Sequence, residues 1–181
     1  YLSLGTDHQD RMFMASPISH ITGYGSINFP FTTGLSTALM ERWDATMAVN
    51  FISKTRSTVS VGATPFLKEL LDAAEASNNS LPSMRYFICG GASVPPQIIY
   101  RTSEILENCR AFRVYGSTEA PIITLGWSEA AQLKLAAETD GKIFNYNVRI
   151  LNDNGDDITG MRVEGEIAAS GSGMMLGYKS Q

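Results

Sequence analysis

From Arg11 to Tyr115 the sequence alternates short apolar runs with longer stretches whose apolar residues recur at helical spacing, and few patterns restrict a fold as much. Arg11-Met12-Phe13-Met14-Ala15 reads as a buried strand closed by Ser16-Pro17. His20 to Gly34 fits a loop or a helix, and Leu35 to Met40 a second strand. Asp44 is a candidate cap for a helix that sets Met47, Ala48, Phe51 and Ile52 on one face. The β-branched run Thr58 to Gly62 is the next strand. Thr64-Pro65 then supplies a cap and an initial proline for a helix striped by Phe66, Leu67, Leu70, Leu71 and Ala74. Arg85 to Cys89 is a strand, and Gly90-Gly91-Ala92 a tight loop. Ser93, Pro95 and Pro96 open a helix with Ile98, Ile99, Ile105 and Leu106 inward, and Ala111 to Tyr115 is the last strand of the series. Strands that alternate with amphipathic helices imply right-handed βαβ crossovers and a sheet covered on both faces. The expected fold class is therefore α/β: a mostly parallel, doubly wound sheet with flanking helices, followed by the start of a small β-rich subdomain.

That second part follows from a change of character after Gly126. Trp127 to Ala137 is weakly helical, and Val148 to Leu151 and Glu164 to Ala169 then read as antiparallel strands joined by the polar turn Asn152 to Asp156. We expect an α/β subdomain over 1–126 that carries the site, and a partial β-rich subdomain over 127–181. The 181 residues include 14 Lys+Arg and 18 Asp+Glu, so no basic surface for a phosphate backbone is expected, and no nucleic acid partner. No apolar run is long enough to span a membrane and no secretory leader is visible, so the expected location is cytoplasmic. Cys89 and Cys109 are too few and too far apart for a metal motif or a disulfide framework, which makes them small buried apolar residues.

In such a sheet, ligands bind beyond the C-terminal strand ends. Two loops have the composition for it: Gly90-Gly91-Ala92-Ser93 and Gly116-Ser117-Thr118-Glu119. Glycine lets a ligand approach the backbone, Tyr115 offers a stacking face, and Glu119 is a hard oxygen suited to Mg²⁺ beside phosphate. Other motifs fail on spacing. Gly171-Ser172-Gly173-Met174-Met175-Leu176-Gly177 puts its last glycine one position late for a dinucleotide fingerprint, and Gly141-Lys142 lacks the upstream glycine of a P-loop. Gly23-Tyr24-Gly25-Ser26 is not a nucleophile elbow.

With these residues in view, the chain resembles the middle of the large N-terminal domain of an AMP-forming acyl-CoA synthetase, in the adenylate-forming superfamily. Tyr115-Gly116-Ser117-Thr118-Glu119 matches that superfamily's Y-G-x-T-E motif in full. Pro17 to Gly23 resembles its P-x-x-H-x-x-G segment, and Phe87 to Ala92 its strand followed by G-G-A. Asp140-Gly141-Lys142 resembles its G-[KR]-P segment, with Ile143 in place of the proline, and Gly165-Glu166-Ile167 through Gly171 to Gly177-Tyr178 resembles G-E-[LI] to G-Y. The resemblance implies that Tyr115 stacks on adenine, Thr118 contacts the α-phosphate and Glu119 helps to hold Mg²⁺. It implies further that Gly90, Gly91 and Ala92 border adenine and the acyl pocket, with Gly116 and Ser117 continuing the wall. His20 is expected near the carboxylate end of the acyl site. Thr118, Glu119 and His20 are thus the catalytic candidates, and His20, Gly91 and Gly116 the acyl-binding ones.

By the same resemblance the substrates are ATP, a small carboxylic acid and CoA, with Mg²⁺ as the metal and fatty acid metabolism as the setting. The acid becomes an acyl-AMP and then a thioester. Ligation to a carrier-protein thiol is the related alternative, and a non-catalytic nucleotide-binding or interaction module of the same fold the distant one. The family's phosphate loop, its ribose-binding aspartate and its lysine-bearing C-terminal domain do not occur in these residues, so this piece alone is expected to be inactive. Low charge combined with 44% hydrophobic residues leads us to expect a homodimer or aggregate of the isolated piece.

Overall fold

A computed structural model describes residues 4–179. β1 (Arg11–Met14), β2 (Ser36–Leu39), β3 (Val59–Gly62), β4 (Tyr86–Gly90) and β5 (Arg110–Tyr115) form the parallel part of a seven-stranded sheet. Its order is β2-β1-β3-β4-β5, continued antiparallel by β6 (Thr124–Leu125) and β7 (Lys142–Ile143). The helices are α1 (Ile21–Thr33), α2 (Ala45–Thr55), α3 (Thr64–Ala76), α4 (Pro96–Ile105) and α5 (Leu133–Glu138). The chain runs outward from β1 to β2, then crosses back over β1 to β3. The winding therefore reverses between β1 and β3, and right-handed crossovers put α1 on one face and α2 to α4 on the other. The packing follows: α2 on α3, α3 on α4 and α4 on α5, with α1 against β1, β2 and β3.

Sequence accounts for most of this. The Asp44 carboxylate accepts the Met47 amide at 2.8 Å and caps α2, but the buried face is Ala48, Val49 and Ile52, while Met47 is 62% exposed. Thr64 is not the cap of α3. Ala63 holds that position without a side-chain bond, and the Thr64 hydroxyl donates instead to the Ser93 carbonyl at 2.9 Å. Likewise α4 starts from Pro95 and Pro96 with no side-chain cap, and it buries Ile98, Ile99 and Thr102. The stretch from His20 resolves as α1. Its buried residues are Gly23 and Ser26, so it has no apolar stripe to announce it. The larger core lies under α2 to α5 and holds Phe13, Phe87, Phe112, Leu67, Leu70, Leu71 and Ile99, each side chain contributing about 1.5–3 kcal/mol by leaving water. Both cysteines are buried, and burial raises the thiols to about 11 for Cys89 and about 12 for Cys109, which leaves them inert as nucleophiles.

The large sheet extends past Gly126. β6 and β7 join it, α5 packs against β5, and Trp127, Leu133, Ala136 and Ala137 pack into its core. The second sheet begins only at β8 (Asn147–Leu151), which pairs antiparallel with β9 (Glu166–Ser170). Asn152 shapes the first turn between them, its side-chain oxygen accepting the Asn154 and Asp156 amides, and the connection then runs on to residue 165. No described helix is long and apolar enough to cross a membrane.

Candidate active site

Parallel strands aim their C-terminal ends at one edge, and there the two glycine-bearing loops are brought side by side. Gly90 closes β4 in register with Val114, one residue before Tyr115. A Cβ on Gly90 would fall within contact distance of the Val114 carbonyl, so only glycine lets the two strand ends lie this close. Gly91 turns the chain with φ +77°, and it leaves an open, exposed backbone with Ala92. Tyr115 is 40% exposed at the end of β5. Gly116 follows in a tight reversal, where a Cβ would lie 2.6 Å from the Ile122 amide nitrogen. Ser117 closes the reversal, its amide donating to the Ala120 carbonyl at 3.1 Å and its hydroxyl accepting the Ala120 amide at 3.3 Å. Thr118 and Glu119 stand exposed at the tip.

His20 lies elsewhere along this edge. It follows β1, and with strands about 4.8 Å apart the ends of β1 and β5 are roughly 14 Å from each other. Its imidazole is the side-chain cap of α1, with Nδ1 accepting the Thr22 amide at 3.2 Å. The edge thus has two sides: His20 at the reversal of the winding, and Tyr115 to Glu119 beyond β5.

Glu119 is gripped twice by a distant segment. Its carbonyl accepts the Met175 amide at 2.8 Å, and its Oε1 accepts the Tyr178 hydroxyl at 2.6 Å. Hydrogen bonds from the Tyr178 and Ser117 hydroxyls hold its carboxyl below the usual carboxylate range, so it is ionised at neutral pH. Tyr178 is the functional candidate that reading the sequence missed. Its G-Y motif was visible, but nothing in the spacing of residues 119 and 178 shows that they touch. Among the described residues no three His, Cys, Asp or Glu side chains gather around a common point. An exposed, ionised carboxylate beside hydroxyls suits Mg²⁺, whose remaining ligands are commonly phosphates and water.

An open α/β sheet with exposed glycine loops, an aromatic face and a carboxylate at its C-terminal edge defines a ligand-binding protein of the doubly wound class. The sequence pattern of the AMP-binding enzyme family matches residues 1–179, and the chain belongs to that family. The medium-chain fatty-acid–CoA ligase of Escherichia coli K12 is 27% identical over 173 residues, which are 94% of this chain and 30% of that protein. The 2-succinylbenzoate–CoA ligase of Bacillus subtilis 168 is 28% identical over 185 residues, covering 98% of this chain and 35% of that protein. Among solved structures, the O-succinylbenzoate coenzyme A synthetase of Bacillus subtilis in complex with ATP and magnesium ion superposes with a TM-score of 0.83 at 26% identity. That match covers 99% of this chain and 36% of that one. The chain therefore spans about a third of the length of the proteins it resembles.

Proposed function

We propose that the chain carries the adenylation site of an AMP-forming ligase that activates a carboxylic acid with ATP and passes the acyl group to CoA. The observation that carries this reading is the junction of two exposed glycine loops with Tyr115, Thr118 and Glu119 at the C-terminal edge of a chain of this family. Its relatives named as CoA ligases favour CoA over a carrier protein as the acceptor.

In the first step a carboxylate oxygen attacks the α-phosphorus of ATP, an oxygen–phosphorus bond forms, and pyrophosphate leaves. In the second, the CoA thiol loses its proton and attacks the acyl carbonyl, and AMP leaves. Neither step needs a covalent bond to the protein. Its work is to align two anions and offset their charge. Tyr115 supplies a face for adenine. The open backbone of Gly90, Gly91 and Ala92 borders adenine and the acyl group, and Gly116 with Ser117 continues that wall. Thr118 donates to the α-phosphate, and Glu119 holds Mg²⁺, which supplies positive charge to the phosphates when bound. His20 faces the incoming carboxylate from across the edge, where strand spacing leaves room for an acyl adenylate between it and Glu119.

The test uses the full-length ligase that contains this segment. Pyrophosphate release should require both a carboxylic acid and Mg²⁺, and Glu119→Gln should lower it by about 10²-fold or more, the scale of losing one charge-stabilising group. Release that is independent of added acid, or unchanged in Glu119→Gln, would overturn the assignment.

A further inference from the structure

Part of the support of Glu119 comes from outside its own loop. Ser117 and Ala120 bind each other across the reversal, which sets the backbone of the tip, and within the loop the Glu119 carboxyl meets the Ser117 hydroxyl. A further grip arrives from 56 and 59 residues away in the sequence, through the Met175 amide on the Glu119 carbonyl and the Tyr178 hydroxyl on Oε1. The segment that delivers these bonds follows β9 and lies largely in solvent: Met174, Leu176 and Tyr178 are all exposed. Apolar packing therefore does little to place Tyr178. Its ring is half exposed, and its hydroxyl is held on the carboxylate. At 2.6 Å, with an ionised acceptor, this is a short, charge-assisted bond of the stronger kind. A carboxylate offers about four acceptor positions, so one filled by Tyr178 leaves room for a cation and for the Ser117 hydroxyl.

We propose that Tyr178 is a positioning residue of the adenylation site, its hydroxyl fixing the Glu119 carboxylate in the orientation that receives the metal of the bound nucleotide. The inference rests on the reading of Glu119 as the metal ligand given above. Groups that orient a ligating carboxylate change metal affinity by about 10- to 100-fold when removed, without touching the ion. Tyr178 thereby ties the smaller sheet's trailing segment to the chemistry at the edge of the larger sheet. The segment bearing the family's G-Y pair reaches the Glu119 carboxylate through this hydroxyl.

The experiment is a titration of Mn²⁺, followed by its electron paramagnetic resonance, into the full-length ligase saturated with ATP. Metal-free ATP affinity is measured alongside by calorimetry. Tyr178→Phe keeps the ring and removes the hydroxyl. It should weaken Mn²⁺ binding about 10-fold and leave metal-free ATP affinity unchanged. Glu119→Gln should weaken Mn²⁺ at least as much, and the double variant should be no weaker than Glu119→Gln alone, because both changes remove one arrangement. If Tyr178→Phe binds Mn²⁺ like the parent while Glu119→Gln does not, the positioning role is wrong and the ligand assignment stands. If Glu119→Gln also binds Mn²⁺ normally, the ligand assignment itself fails. A Tyr178→Phe loss equal with and without metal, or simply additive to Glu119→Gln, would make the tyrosine a structural prop and overturn the proposal.

Discussion

At the N-terminal ends of the strands, opposite the candidate site, one carboxylate ties three strands together. Asp10, 3% exposed just before β1, accepts the Arg85 guanidinium ahead of β4 at 2.8 and 3.0 Å, the Thr58 hydroxyl ahead of β3 at 2.6 Å and the Asp7 amide at 3.1 Å. Burial pushes this carboxyl up, but the bonds from Thr58, Asp7 and Arg85 outweigh it and hold it below the ordinary value. The partners are unequal, since the Arg85 side chain is 43% exposed. Water can solvate an abandoned guanidinium there, whereas it cannot reach an abandoned Asp10. Arg85→Leu should therefore cost about 3 kcal/mol of stability in urea unfolding at pH 7, and Asp10→Asn only about 1 kcal/mol. Because its folded pKa is depressed, the stabilisation from Asp10 is complete above its unfolded value near pH 4 and is lost as pH falls through the folded value. The deficit of Arg85→Leu should shrink below about pH 4. Equal costs for the two variants, or a deficit independent of pH, would refute this account.

Between elements, a tight constraint lies where β7 meets β6. Gly141 has φ +94°, and a Cβ there would sit within contact distance of the Leu125 carbonyl. The Thr124 hydroxyl donates to the neighbouring Asp140 carbonyl, Lys142 Nζ lies 3.8 Å over the Trp127 ring, and the Phe144 amide donates to Ile123 at 2.8 Å. Gly141→Ala should lift β7 from the sheet at a cost of about 2–3 kcal/mol, seen as faster amide exchange at Phe144 while β4 keeps its protection. Unchanged exchange at Phe144 would sink the idea. This joint also marks the limit of what the sequence makes legible. β1 to β5 could be read because buried parallel strands are continuous apolar runs and α2 to α4 carry clear stripes. A two-residue strand such as β6 or β7 has no period to detect, so the sheet looked finished at Gly126 when it runs on to Ile143. α1 hid for a similar reason, packing through Gly23 and Ser26 with Pro30 inside it. At the site, the loops Gly90 to Ala92 and Tyr115 to Glu119 were legible because glycine after an apolar strand is a local signal. The bond from Tyr178 to Glu119 was not, since it depends on how two sheets are joined.

For the molecule as a whole, the surface is too large for the mass. A compact monomer of 19.7 kDa exposes about 8,600 Å² by the usual scaling, yet this chain exposes 10705 Å². The excess, about 2,000 Å², is more than twice the roughly 800 Å² that one partner buries in a standard protein–protein interface. The smaller sheet is thinly covered: β8 and β9 contain no buried residue, and Ile167 in β9, Met161 and Val163 in the connection before it and Met174 and Leu176 after it are exposed. A two-stranded ribbon is marginal without a covering layer, and apolar side chains exposed on it and its flanking segments favour one. We therefore expect the isolated chain to associate, its mean mass by light scattering rising with concentration, and Ile167→Lys together with Met174→Lys to reduce that rise. Within the proposed full-length ligase the same surface should be covered, and the double lysine variant should then destabilise the whole protein and leave its association state unchanged. A monodisperse monomer of the isolated chain at high concentration would mean that this ribbon tolerates water on its own, and that the excess area reflects an open shape with no missing neighbour.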